Sequence, residues 1–138
     1  MARKFTAIIF VLLLSSAAMP SSADGFAFDR YFRTELFFGM NKPTGGEVTT
    51  EDWDKFLADE VTPRFPNGLT VVAAAGQFRS ASGTIVKEKS RVIILLYSKK
   101  DRAAASRWID EIRTAYCKKF DQESVMRIDY RRSVEVSL

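Results

Sequence analysis

Histidine is absent from the 138 residues. That removes the commonest general base near neutral pH, the Ser-His and Cys-His nucleophile pairs, and nearly every zinc site. Cysteine occurs once, at Cys117, so no internal disulfide can form and thiolate clusters are excluded. At the flank of a helix, Cys117 reads as an inert packed thiol. Long apolar runs are missing apart from Phe5 to Leu14, which is too short to span a bilayer comfortably. Neither sign of charge dominates: 21 Lys and Arg stand against 17 Asp and Glu, and setting aside Arg3 and Lys4 of the N-terminal stretch leaves 19 against 17. This balance does not call for a nucleic-acid partner. The basic residues gathered late in the chain, Lys118, Lys119, Arg127, Arg131 and Arg132, read as a solvated face. No cofactor and no metal are expected.

What is present begins with a secretion leader over residues 1–23. Arg3 and Lys4 form its positive start, Phe5 to Leu14 its apolar run and Ser15 to Ala23 a small-residue exit. Ser21 and Ala23 place small side chains where a signal peptidase inspects the chain, so cleavage is expected after Ala23, with Ala18 as the second choice. No cysteine lies near this exit, so no lipid attachment there and no stable membrane anchor after cleavage are expected. The reading is an exported chain, periplasmic or extracellular. A lead-in over residues 24–32 then joins one domain over residues 33–138, long enough to bury a single core without disulfides.

Within the domain, Arg33 to Gly39 alternates as a strand, with Arg33, Glu35 and Phe37 on one side and Thr34, Leu36 and Phe38 on the other. Gly45 and Gly46 lie in a plain loop, since no Lys-Ser/Thr pair follows to make a phosphate loop. Thr49 with Asp52 three residues on signals a helix start, and Trp53, Phe56, Leu57 and Val61 form its apolar stripe until Pro63. Pro66-Asn67-Gly68 is turn chemistry. Leu69 to Arg79 is a strand with a small centre, Ala73 to Gly76, whose commoner use is close packing of a helix and whose other use is room for a ligand. A hairpin at Ser80 to Gly83 leads to a strand over Thr84 to Tyr97, continuously apolar from Val92 and so buried on both sides. Ser98 and Asp101 open a helix to about Phe120 with Trp108, Ile109, Ile112, Tyr116 and Phe120 inward. The last strand starts at Ser124 or Val125, and Ser133 to Leu138 continues it or adds an edge strand.

The order β-α-β-β-α-β with right-handed crossovers implies an α+β fold, the ferredoxin-like split βαβ sandwich: a four-stranded antiparallel sheet, order 4-1-3-2, with both helices on one face. Thr34, Leu36, Phe38, Val92, Ile94, Leu96, Met126 and Ile128 are expected to face the helices. Arg33, Glu35, Phe37, Ile93, Leu95, Tyr97, Arg127 and Asp129 are expected on the open face, joined by Gln77 and Arg79 if the second strand keeps register. Arg33 and Glu35 stand about 7 Å apart along their strand, placed to couple through a neighbour. A carboxylate beside an arginine is a good anchor and a poor proton donor. Glu88 and Ser90 form a second polar pair; without histidine, Ser90 is not expected to act as a nucleophile.

The series Arg33-x-Glu35-Leu36-Phe37-Phe38-Gly39, Trp53-x-x-Phe56-Leu57, Pro63-Arg64-Phe65-Pro66-x-Gly68-Leu69-Thr70, Gly76-Gln77-Phe78-Arg79, Glu88-x-Ser90 and Phe120-x-Gln122-Glu123-Ser124-Val125 resembles a family of small exported bacterial proteins known only as domain of unknown function 3574. Phe78 departs from it, tryptophan being usual there. The family supplies no activity. The resemblance implies a set of polar motif positions: Arg33, Glu35, Gln77, Arg79, Glu88 and Ser90 as candidate ligand or interface residues, and Arg64, Gln122 and Ser124 as structural ones. The expectation is a non-enzymatic binding or interaction module for an unknown small ligand or envelope protein, with a possible homodimer through the open sheet face. The alternative is a small dimeric α+β-barrel-like enzyme using Glu35 or Glu88 as base and Arg33 or Arg79 to hold an anionic substrate. A third reading has the motif residues merely tying loops to the sheet, as Arg64 between two prolines would.

Overall fold

The sheet is built around the strand that the sequence marks first, but that strand is longer than its motif. In the computed structural model, which describes residues 28–137, β1 runs Phe28–Gly39. The expected leader lies outside the described residues. The elements that follow are α1 (Thr50–Phe56), continued by a π-helical turn at Leu57–Val61, then β2 (Thr70–Arg79), β3 (Ile85–Ser98), α2 (Arg102–Phe120), β4 (Met126–Asp129) and β5 (Val134–Ser137). Together they make a mixed α/β unit with one antiparallel sheet of five strands and two helices. Along the sheet the order is β2-β3-β1-β4, and β5 also pairs with β1.

Strand β1 is central because it offers alternation on one side and partners along both edges. Thr34, Leu36 and Phe38 are fully buried while Arg33, Glu35 and Phe37 are half-buried, as strand periodicity requires. On one edge β1 pairs with β3 from Tyr31↔Ser98 to Gly39↔Ser90. On the other it meets β4 (Thr34↔Asp129) and then β5 (Tyr31↔Val134). Three steps along β1 thus correspond to five along the partner, so β5 continues β4 past a two-residue bulge. Phe28 to Phe32 is therefore strand, where the sequence suggests a lead-in.

Thr49 caps α1 through a hydrogen bond from the Asp52 amide, 3.1 Å. The helix then widens, the Thr62 amide reaching back five residues to the Leu57 carbonyl at 2.8 Å. Trp53, Phe56 and Val61 are all buried as a result. Pro63 lacks an amide proton to continue the ladder. Helix α2 buries Ala105, Ile109, Ile112, Tyr116 and Phe120 and ends on Asp121 in the left-handed region (φ 56°), whose amide bonds the Cys117 carbonyl. Phe38, Trp53, Phe56, Tyr116 and Phe120 meet mostly edge to face, with Phe38 and Tyr116 centroids 4.7 Å apart. This cluster clamps β1 to both helices; truncating Phe56 to alanine would cost about 3–5 kcal/mol.

Two strand phases differ from the sequence reading. The register Leu36↔Ile93 and Thr34↔Leu95 turns Ile93, Leu95 and Tyr97 toward the helices, and all three are buried. Val92, Ile94 and Leu96 take the open face instead. A run apolar on both sides carries no alternation from which to choose. In β4, Leu36↔Arg127 and Thr34↔Asp129 put Arg127 and Asp129 on the helix side and leave Met126 and Ile128 exposed on the open face. There the polarity pattern misleads, because α2 offers the charged pair partners. Arg127 reaches Asp110 (3.1 Å) and the Ser106 hydroxyl (3.1 Å), while Asp129 accepts from Arg127 and from Thr34. The small centre of β2 lies under no helix: β2 is exposed along almost its whole length.

Candidate functional site

Since β3 pairs residue for residue with both neighbours, cross-strand partners identify one open face. It carries Arg33, Glu35 and Phe37 from β1, Val92, Ile94 and Leu96 from β3, Met126 and Ile128 from β4, and Thr70, Val72, Ala74, Gly76 and Phe78 from β2. Val72, Phe78, Leu96, Met126 and Ile128 are exposed. Apolar side chains thus remain exposed across this face.

In its midst Arg33 and Glu35 are joined directly. Arg33 Nε and Nη2 donate to Glu35 Oε1 at 2.9 and 2.6 Å, and the Tyr130 hydroxyl donates to the same oxygen at 3.0 Å. The Arg33 guanidinium also lies over the Tyr130 ring, 5.3 Å from its centroid. Coupling thus needs no intermediary, contrary to the expectation from rise alone, because the arginine folds back along its own strand. Tyr130, which the sequence motif omits, completes the group. Its only signal was an aromatic at the end of the last alternating run.

Glu88 and Ser90 share the open side, opposite Gly76 and Ala74. The Glu88 carboxylate bends over Gly39, where a Cβ would clash with its Oε1 and crowd Gln122 Oε1 at 3.3 Å. Gln122 is held by its Nε2, which donates to the Asn41 carbonyl at 2.7 Å. Beneath them the Tyr116 hydroxyl donates to the Gly39 carbonyl at 2.7 Å; burial, reinforced by the Glu88 charge, pushes this phenol well above its ordinary range. Gly39, Glu88, Ser90 and Gln122 therefore converge on one corner where β1 leaves the sheet. Glu88 has no hydrogen-bond or salt-bridge partner among the described residues, unlike Glu35.

Gln77 and Arg79 do not join either group. Pairing with Lys87 and Ile85 turns them to the other side of the β2–β3 ribbon, where Arg79 Nε bonds the Gly83 carbonyl at 3.3 Å. Arg64 bonds the Glu60 carbonyl (2.7 Å) and the Glu60 and Glu111 carboxylates (both 3.1 Å), tying the end of the π-helical turn to α2. Ser124 is exposed in a shallow depression with Asp110 and Arg113. A deeper cleft of about 730 Å³ opens where β2 begins and leaves Leu95 to Ser98 of β3 without a β2 partner. Phe65, Leu69, Leu96, Tyr97 and Trp108 line it, with Arg64 and Lys100 at hand. The sequence signals it only as a proline-flanked turn. Among the described residues no three His, Cys, Asp or Glu side chains are grouped to hold a metal, and no helix is long and apolar enough to cross a membrane.

A family described as "Protein of unknown function (DUF3574)" has a sequence model that matches residues 33–136. No curated protein matches the chain. Among solved structures, it is similar to a phage SAM lyase in complex with S-methyl-5'-thioadenosine, with TM-score 0.55 and 22% identity, over 78% of this chain and 90% of that one. The apo state of a phage SAM lyase gives TM-score 0.53 and 21% identity, over 79% and 90%. At this identity the likeness is one of fold.

Proposed function

The chain belongs to the DUF3574 family of proteins of unknown function, and since membership brings no activity with it, we propose from the geometry that it is an exported, non-enzymatic binding module whose open sheet face is the binding surface. The observation that carries this reading is the Arg33, Glu35 and Tyr130 group. Its charges are spent on one another at 2.6 to 3.0 Å, so it serves as a rigid polar anchor amid exposed Leu96, Met126 and Ile128. A small amphipathic ligand or an envelope protein would lay its apolar part on that field and a polar group on the anchor; a second copy packed sheet to sheet is a further occupant. The reading takes the fold as the ferredoxin-like split βαβ sandwich, supported by the element order and by β2-β3-β1-β4.

The test is Leu96→Asn and Ile128→Asn, made singly, against an apolar reporter dye. Each is expected to cut dye binding severalfold while melting temperature holds. Unchanged dye binding in both variants would sink the proposal.

A second reading is favoured by the phage SAM lyase likeness together with the Glu88 corner, where a carboxylate stands beside glycine and glutamine without a cation. It is an enzyme with Glu88 as the working carboxylate toward a related sulfonium nucleoside. Incubation with SAM and chromatography for S-methyl-5'-thioadenosine decides it: release by the wild type and loss in Glu88→Gln supports the enzyme, and no release above buffer rejects it.

A further inference from the structure

The two edges of the sheet are treated differently. The β4–β5 edge is short, broken by a bulge, and carries Arg127, Asp129, Arg131 and Arg132 in and around its strands, devices that keep another strand from pairing. The β2 edge has none of them. It is ten residues long, contains no proline, and its sequence Thr-Val-Val-Ala-Ala-Ala-Gly-Gln-Phe-Arg is uncharged until Arg79. Among the described residues, β2 pairs only with β3.

We propose that this edge pairs with β2 of a second copy, antiparallel about a two-fold axis perpendicular to the sheet, with Ala75 facing Ala75 at the axis. Such an axis keeps open faces on the same side, so partners must share a face and the axis must fall on a residue. The exposed apolar side chains of the strand choose which one. On the open face, Val72 is 42% exposed and Phe78 is 55% exposed, and they stand three residues to either side of Ala75. Pairing through Ala75 sets Phe78 of each copy against Val72 of the other, covering both. Gly76, which leaves open space above it, falls opposite Ala74, so the centre closes without crowding. The product is one continuous sheet with its two open faces still free, which leaves the proposed binding surface accessible.

The occupant is a second copy rather than another peptide because the strand matches itself. Its small centre offers a foreign strand no side-chain pocket to recognise, while antiparallel self-pairing satisfies the backbone row and both exposed apolar residues of its open face at once. In the Cys117→Ser background, Ala75→Cys is expected to form an intermolecular disulfide under mild oxidation, while Ser82→Cys in the hairpin loop stays unlinked. Val72→Lys in the native chain is expected to weaken dimerisation at least tenfold by sedimentation, with an unchanged circular dichroism spectrum. A monodisperse monomer of wild type at high micromolar concentration would overturn the pairing. So would a dimer that links through Met126→Cys and not through Ala75→Cys, which would place the second copy on the open face.

Discussion

At the scale of single residues, function and stability separate at Gly39. Its missing side chain admits the Glu88 carboxylate, and its carbonyl accepts a hydrogen bond from the Tyr116 hydroxyl. Gly39→Ala is expected to cost about 1 kcal/mol in the wild type and to become nearly neutral in a Glu88→Ala background, since the clash is with the far end of a flexible side chain; a double-mutant cycle by urea unfolding reads the coupling. Tyr116→Phe leaves a half-buried carbonyl without this donor and is expected to cost about 1 kcal/mol. The pH dependence has a definite sign. The folded-state phenol pKa lies above its ordinary 10.0, so the stability it contributes is complete below pH 10 and is lost as pH rises through the folded value. The difference in phenolate absorbance between wild type and Tyr116→Phe is accordingly expected only above pH 10.

At the scale of elements, the charged tether of β4 to α2 is the part that reverses the strand's apparent polarity. Burial works against the charge of Arg127, and the carboxylates of Asp129 and Asp110 more than offset it, holding the guanidinium pKa above its usual value. Behind it Thr34, fully buried, donates to Asp129 at 2.7 Å and so accepts from Tyr97 at 2.8 Å, because a hydroxyl has one proton to give. Arg127→Ala is expected to destabilise by about 1–2 kcal/mol through its lost bonds to Ser106, Asp110 and Asp129, the two carboxylates being half-exposed and Asp110 keeping Arg113. Arg64 acts similarly between the π-helical turn and α2, with more solvent around it, so Arg64→Ala is expected to cost about 1 kcal/mol in the same unfolding assay. Of the motif's polar residues, Arg64 is thus consumed in holding elements together, while Glu88 is not.

At the scale of the whole molecule, the β1 side of β3 ends at Ser90 and at the Met40 amide's bond to the Lys89 carbonyl, so Gly76 to Glu88 forms a two-stranded ribbon beyond the sheet. Such a ribbon is marginal in water by itself. Its amides are expected to exchange rapidly in dilute protein and to gain protection in β2 as concentration rises, read by hydrogen-exchange mass spectrometry; concentration-independent exchange would speak against self-pairing. The mixed class of helices and an antiparallel sheet, the buried phase of β1, the α1 cap and both helix stripes follow from the sequence alone, because each rests on local periodicity or on a cap that needs no distant partner. The list of polar motif residues came from the family resemblance. What tertiary structure decided was which of them meet. The phase of β3 came from its register against β1, since its apolar run reads the same on both faces. The phase of β4 came from the partners that α2 and Thr34 offer to Arg127 and Asp129. The separation of Gln77 and Arg79 from Arg33 and Glu35 came from a one-residue parity across β3, which flips every side chain of a strand and leaves no mark on its sequence.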